Sequence, residues 1–222
     1  MTVFSSDPRA LPKAGAMATL RQFAHKRAPI ESCEMCSREL RLEHQHLIDP
    51  EKRKLICACD ACAVLFATQA GTKLRRVPRR VRFLPDFRMS ESQWNSLMIP
   101  IEMAFFFYSS QHGRVIAFYP SPAGATESLL ALETWNDVVT ENPLLGEMTP
   151  DVEALLVNRI GAARGVVPQY YVAPIDECYK LVGLIRLNWH GLSGGTEMWR
   201  EITKYFLALK AKAGVPGENA NA

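Results

Sequence analysis

The sequence lacks any long apolar run, and this sets the first limit on the fold. Among its 222 residues, the most apolar stretch covers residues 97–108 and is interrupted by Pro100 and Glu102. A membrane-spanning helix needs about 20 consecutive, mostly apolar residues. The N-terminus, MTVFSSDPRALPKAG, has no apolar segment followed by a small-residue cleavage site, so we see no secretory signal. We therefore expect a cytoplasmic protein without a membrane span.

The sequence also lacks the motifs of common enzymes. The glycine-rich segment at residues 191–195 has neither the lysine nor the spacing of a phosphate-binding loop, and no serine lies in a G-x-S-x-G frame. Histidines are few, 5 in all, and His112 and His190 are isolated near expected turns. These absences favour a non-enzymatic protein.

Cysteines, in contrast, are concentrated in one segment. Five of the 6 lie between Cys33 and Cys62, and without an export signal such clustering favours metal ligands over disulfides. Cys33-x-x-Cys36 and Cys59-x-x-Cys62 are two pairs of the spacing found in closed zinc sites, where four thiolates surround one ion. The sequence predicts one structural zinc ion bound by Cys33, Cys36, Cys59 and Cys62.

The segment around these pairs predicts a treble-clef-like zinc module over residues 31–70. Residues 40–48 and 54–58 suit a hairpin, and residues 60–68 suit a short helix that begins at the second pair. The N-terminal dipole of that helix favours thiolates. Two alternatives stay open: Cys57 could replace Cys59 as a ligand, and the ion could be iron.

The remaining chain predicts an α+β domain with a mainly antiparallel sheet and C-terminal helices, over residues 71–213. We expect residues 1–30 to form a partly disordered segment with a short helix near residues 16–27, and residues 214–222 to form a disordered tail. Ser90 with Gln93 predicts a capping box, and Asp176 predicts the N-cap of a helix. We expect an edge strand over residues 73–84, strands at 99–109, 114–121 and 170–175, a turn or loop at 120–124, and helices at 129–140 and through Met198 to Leu209. Residues 152–160 suit either a helix or a strand, and the strand is slightly favoured.

Charge is distributed unevenly. Residues 1–90 hold 17 Lys and Arg against 9 Asp and Glu, although the whole chain has a net charge of only +3. The basic half could face nucleic acid, or it could dock on the acidic half. A strip after the module, formed by Lys73, Arg75, Arg76, Arg79, Arg80 and Arg82, could contact phosphates but has no interleaved aromatics for base stacking. It equally suits the solvated edge of a sheet.

Two histidines suggest a different alternative. His44 and His46 are two residues apart and would share one face of a strand. With Glu43 they could form the site of a metal-dependent hydrolase, similar to HNH nucleases. The residues after Cys62 are apolar, however, so the usual second polar group of such a nuclease is missing.

Taken together, several motifs resemble an uncharacterised bacterial family, catalogued as a domain of unknown function. They are Cys33-x-x-Cys36, Glu43-His-x-His-Leu-x-Asp49, Cys57-x-Cys59-x-x-Cys62-x-x-Leu-Phe66, and the segments 105–107, 117–127, 151–156 and 174–179. Members are often encoded in gene clusters of nickel–iron hydrogenases. The resemblance implies an accessory protein that acts in assembly or as a partner-binding adaptor. It implies no known reaction.

Overall fold

The described part of the chain, residues 31–69, 71–128, 132–191 and 194–214 of a computed structural model, contains short strands with helices between them and ends in two longer helices. The predicted helix near residues 16–27 and the tail after Gly214 lie outside the described residues. The elements are β1 (Gln45–Asp49), β2 (Lys54–Ala58), α1 (Asp60–Thr68), β3 (Arg75–Arg76), β4 (Arg82–Phe83), α2 (Glu91–Ser96), β5 (Met103–Ser109), β6 (Arg114–Ser121), β7 (Gly124–Ser128), α3 (Leu132–Glu141), β8 (Glu153–Asn158), β9 (Gln169–Pro174), α4 (Ile175–Asn188) and α5 (Gly195–Gly214), with 3-10 helices at Pro143–Glu147 and Ala162–Arg164.

The strands form two antiparallel sheets. The smaller sheet has the order β2-β1-β3, and the larger has the order β4-β9-β8-β5-β6-β7. Helices α4 and α5 follow the last strand. The predicted α+β class, with antiparallel sheets and C-terminal helices, is confirmed.

Both faces of the larger sheet are buried, which explains why β5 reads as a continuous apolar run. Phe105 and Phe107 point toward α4 and α5, where Leu181 and Ile202 belong to the same core cluster. Phe106, on the opposite face, packs with residues of α2 and α3 in a second cluster. Successive residues of a strand alternate between faces, so a strand covered on both sides needs apolar residues throughout.

Several local predictions are confirmed. Ser90 accepts a hydrogen bond from the backbone of Gln93, and the Gln93 side chain accepts from the backbone of Ser90, as a capping box requires. Strands β6, β8 and β9 lie at the expected positions. Strand β5 begins only at Met103, four residues later than expected, after a turn that contains Pro100.

Two local predictions are wrong, and one strand is missing from the predictions. The expected edge strand over residues 73–84 is two short strands in different sheets, because the chain passes from the module to the domain at Pro78. The expected turn or loop at 120–124 is the short turn between β6 and β7, but β7 itself, an edge strand paired with β6, is absent from the prediction. Asp176 is not an N-cap: α4 begins at Ile175, after Pro174.

The small sheet is docked on the larger domain. Ile48 and Val77 are buried in the core cluster beneath α4 and α5, and the Val77 amide donates to the carbonyl of His46 at 3.0 Å. Ion pairs also join the basic and acidic halves, including Arg53–Glu127 at 3.0 Å. Some basic side chains of the first half are therefore paired with acidic side chains of the second half.

Asp151 is the most buried acidic group at this junction. Its side chain is 3% exposed, and its Oδ2 lies 3.3 Å from Nε of Arg75, an ion pair without hydrogen-bond geometry. Its Oδ1 accepts from the Ser110 amide at 2.8 Å. The backbone of Asp151 has φ 67°, a conformation that Asp and Asn tolerate better than Ala.

We expect Asp151→Ala to lower the free energy of unfolding by about 2–4 kcal/mol, because it leaves a buried amide without its acceptor and adds backbone strain. Asp151→Asn keeps an acceptor oxygen and tolerates the backbone conformation, so its cost should be smaller, about 1–2 kcal/mol. Urea denaturation of both variants measures the difference. Equal costs for the two would show that the hydrogen bond to Ser110 contributes nothing.

Candidate metal centre

The first cysteine pair lies on a tight loop before β1. The Cys33 amide donates to the carbonyl of Arg38 at 2.8 Å, and the Ser37 amide donates to the carbonyl of Cys33 at 2.8 Å. Ser37 has φ 60°, an uncommon conformation for a residue with a side chain. The chain thus reverses direction within a few residues and keeps Cys33 and Cys36 on one turn.

The second pair lies at the start of α1. Cys59 is the N-cap residue, with extended backbone, and Cys62 lies in the first turn. The positive end of the helix dipole therefore lies next to both sulfurs, and this favours their thiolate form. A cysteine loop, the β1–β2 hairpin and a helix carrying the second pair follow in the treble-clef-like order that the sequence predicts.

The four predicted sulfurs come together. Their Sγ atoms all lie within 4.8 Å of one another, and those of Cys36 and Cys59 are 3.7 Å apart. A tetrahedral zinc site with Zn–S bonds of ~2.3 Å has sulfurs roughly 3.8 Å apart. Cys33, Cys59 and Cys62 are buried, and Cys36 is exposed. The cluster fits a metal ion in size and donor chemistry, and it could hold zinc.

The protonation of the cluster also suits a cation. Burial is the largest single influence on Cys33 and raises the pKa of its thiol, but backbone hydrogen bonds, the strongest from Cys59, together bring that pKa down to about 6. Burial raises the pKa of the Cys62 thiol to about 12, and hydrogen bonds within the cluster add to the rise. Without a cation, the site therefore favours one thiolate while another sulfur keeps its proton. A bound cation would favour four thiolates.

Glu34 links the loop that carries Cys33 and Cys36 to strand β2 through hydrogen bonds. Its Oε1 accepts from the Cys57 amide at 2.9 Å and its Oε2 accepts from Nζ of Lys54 at 2.8 Å. The hydrogen bond from Lys54, followed by that from Cys57, lowers the pKa of the Glu34 carboxyl. The Glu34 amide in turn donates to the carbonyl of Cys57 at 2.9 Å.

Cys57 lies outside the four-sulfur cluster and belongs to a second group, with His44 and His46. The ligand atoms of this group also lie within 4.8 Å of one another. Glu43, which the sequence suggested as the partner of the two histidines, belongs to neither group. The hairpin register places Cys57 opposite His46, and the sequence pattern alone did not fix that register.

Most of the basic strip is engaged within the chain. Lys73 pairs with Glu51, Arg75 with Asp151 and Arg82 with Glu147, while Arg76 donates to the side chain of Gln45. Among the described residues, Arg79 and Arg80 make no ion pair within 4.0 Å. The strip thus has structural roles at four of its six positions, and we propose no nucleic-acid function for it.

These features define an α+β protein with a four-cysteine module that could hold a metal ion. The sequence model of a family described as "Family of unknown function (DUF5947)" matches residues 32–213, and the chain belongs to that family. Comparison with curated proteins and with solved structures gave no match. In the described part of the chain, no helix is long and apolar enough to span a membrane.

Proposed function

We propose that this protein is a non-enzymatic adaptor, in which a structural zinc ion fixes a small module that presents an apolar surface to a protein partner. The observation that carries the proposal is the exposure of large apolar side chains on the module itself. Val64 and Leu65 on α1 are 51% and 59% exposed, and Leu42 on the loop before β1 is 99% exposed.

The donor set supports zinc as the ion. Four cysteines occupy all four positions of a tetrahedron, which is the composition of structural zinc sites rather than catalytic ones. The core of the module is small and includes three of the four ligands, Cys33, Cys59 and Cys62. Such a segment buries too little apolar area to fold alone, so the free energy of metal binding would stabilise it.

The composition of α1 supports a partner surface. Its sequence, DACAVLFAT, is apolar on nearly all sides, yet only Cys62 and Ala63 are buried. A helix that is apolar all round is normally covered, and exposed apolar patches often mark protein–protein contacts.

The class of partner comes from the resemblance of several motifs to a bacterial family that is often encoded beside nickel–iron hydrogenases. Leu65 belongs to one of the motifs that carry it, Cys57-x-Cys59-x-x-Cys62-x-x-Leu-Phe66. On this basis the partner is a component of a bacterial nickel–iron hydrogenase system, and the protein acts with it in the cytoplasm during assembly or as an adaptor.

Co-purification with tagged hydrogenase subunits tests the proposal. The wild-type protein should be enriched with at least one subunit, and Leu65→Asp should reduce recovery about tenfold or more, since a charge at the centre of an apolar contact is costly. Leu187→Asp is the matched control, because Leu187 is 82% exposed and lies on α4, outside the module. No enrichment of any hydrogenase protein, or equal loss in both variants, would argue against the proposal.

A further inference from the structure

We propose that His44, His46 and Cys57 form a second metal site, distinct from the four-cysteine cluster. Its ion would be a borderline divalent transition metal, for which Zn²⁺ is the natural probe, held by two imidazoles and one thiolate with a fourth position open. This site does not depend on the adaptor function.

The hairpin brings the three donors together. His46 lies on β1 directly opposite Cys57 on β2, and cross-strand partners share one face of a sheet. His44 immediately precedes β1, two residues from His46, and the two rings have centroids 4.6 Å apart. One ligand atom from each of the three residues lies within 4.8 Å of the others, a distance that a single ion can bridge.

Hydrogen bonds orient both histidines as metal ligands. Nδ1 of His44 lies 2.9 Å from the carbonyl oxygen of Arg41, and Nδ1 of His46 lies 2.8 Å from Oδ2 of Asp176. Both partners are acceptors, so each Nδ1 carries the proton and each Nε2 keeps its lone pair. Metal-bound histidines in proteins are held in this way, by a carbonyl or a carboxylate on the distal nitrogen.

The environment of His44 is difficult to explain without a ligand. Its side chain is only 6% exposed, and its Nε2 is buried with no hydrogen-bond partner among the described residues. An unsatisfied buried acceptor costs free energy. A metal ion bound to Nε2 would supply the missing partner.

The donor set selects the class of ion. Imidazole nitrogen and thiolate sulfur suit zinc and its first-row neighbours, and they bind Mg²⁺ or Ca²⁺ poorly. Three protein ligands leave one tetrahedral position for water or an exogenous ligand. The His46 side chain is 25% exposed, so solvent reaches this side of the group. Asp176 is a positioning residue supplied by α4 of the larger domain.

Metal stoichiometry at saturating, buffered free Zn²⁺ tests the site. Wild-type protein should bind two zinc ions per chain, and Cys57→Ser and His46→Gln should each bind one. His190→Gln is the histidine control and Cys178→Ala the thiol control, and both should keep two. One zinc in the wild type, or two in both ligand variants, would refute the proposal.

Two further measurements do not depend on how well the ligand variants fold. Wild-type protein carrying one equivalent of zinc should bind Co²⁺ with the visible bands of a tetrahedral site and a thiolate-to-cobalt charge-transfer band; their absence would overturn the site. Asp176→Asn should weaken the second zinc about 10–100-fold and leave the first unchanged. Unchanged affinity for both ions would show that Asp176 does not position His46.

Discussion

Cys33→Ser should abolish metal binding at the four-cysteine cluster and unfold residues 31–69, while the larger sheet stays folded. In small zinc-binding peptides, metal binding contributes about 10–16 kcal/mol to folding, and the module core has little apolar area to replace it. Cys33 is 1% exposed and lies within that core. Hydrogen–deuterium exchange should show loss of protection in β1, β2 and α1 and retained protection in β5 and β8.

The matched control for this prediction is Cys178→Ala. Cys178 is a buried cysteine on α4, in the core beneath the larger sheet and outside both cysteine-containing groups. Its truncation should lower global stability by about 1–2 kcal/mol and leave metal content unchanged. If Cys33→Ser keeps its metal and its protection pattern, the four cysteines do not act together.

Phe106→Ala should be the most destabilising single truncation that we predict for the larger domain. Phe106 is 0% exposed, and its ring stacks on Trp135 with centroids 4.9 Å apart. Removing a buried phenylalanine costs about 3–5 kcal/mol through lost burial and the cavity left behind. Because α3 contributes Trp135, the packing of α3 on the sheet should loosen as well.

Tyr108→Ala is the comparison, because Tyr108 lies two residues further along β5 on the same face and is 41% exposed. Its cost should stay near or below about 1 kcal/mol. Urea denaturation followed by tryptophan fluorescence measures both variants. Similar midpoints for the two would contradict the burial of Phe106 between the larger sheet and α3.

The sequence could predict the elements whose signals are local. The Cys-x-x-Cys spacing depends on one turn of chain, and the Ser90–Gln93 capping box needs only neighbouring residues, so both were recognisable without tertiary information. The fold class followed from the order of apolar strand and helix patterns. These signals are strong because each is a short-range geometric requirement.

Features that depend on contacts between distant parts of the chain could not be predicted from the sequence. Strand β7 has no large apolar residue, and only pairing with β6 makes it a strand. Asp176 looked like a helix cap, yet its Oδ2 lies 2.8 Å from Nδ1 of His46, 130 positions earlier in the chain. The association of Cys57 with the two histidines required the hairpin register, which the sequence pattern left open.

X-ray absorption at the zinc edge, on protein loaded with one equivalent of zinc, tests the central claim most directly. The four-thiolate site should fill first, so we predict four sulfur neighbours at ~2.3 Å and no nitrogen or oxygen ligand. A mixed shell with nitrogen or oxygen, or protein that retains no zinc, would contradict it.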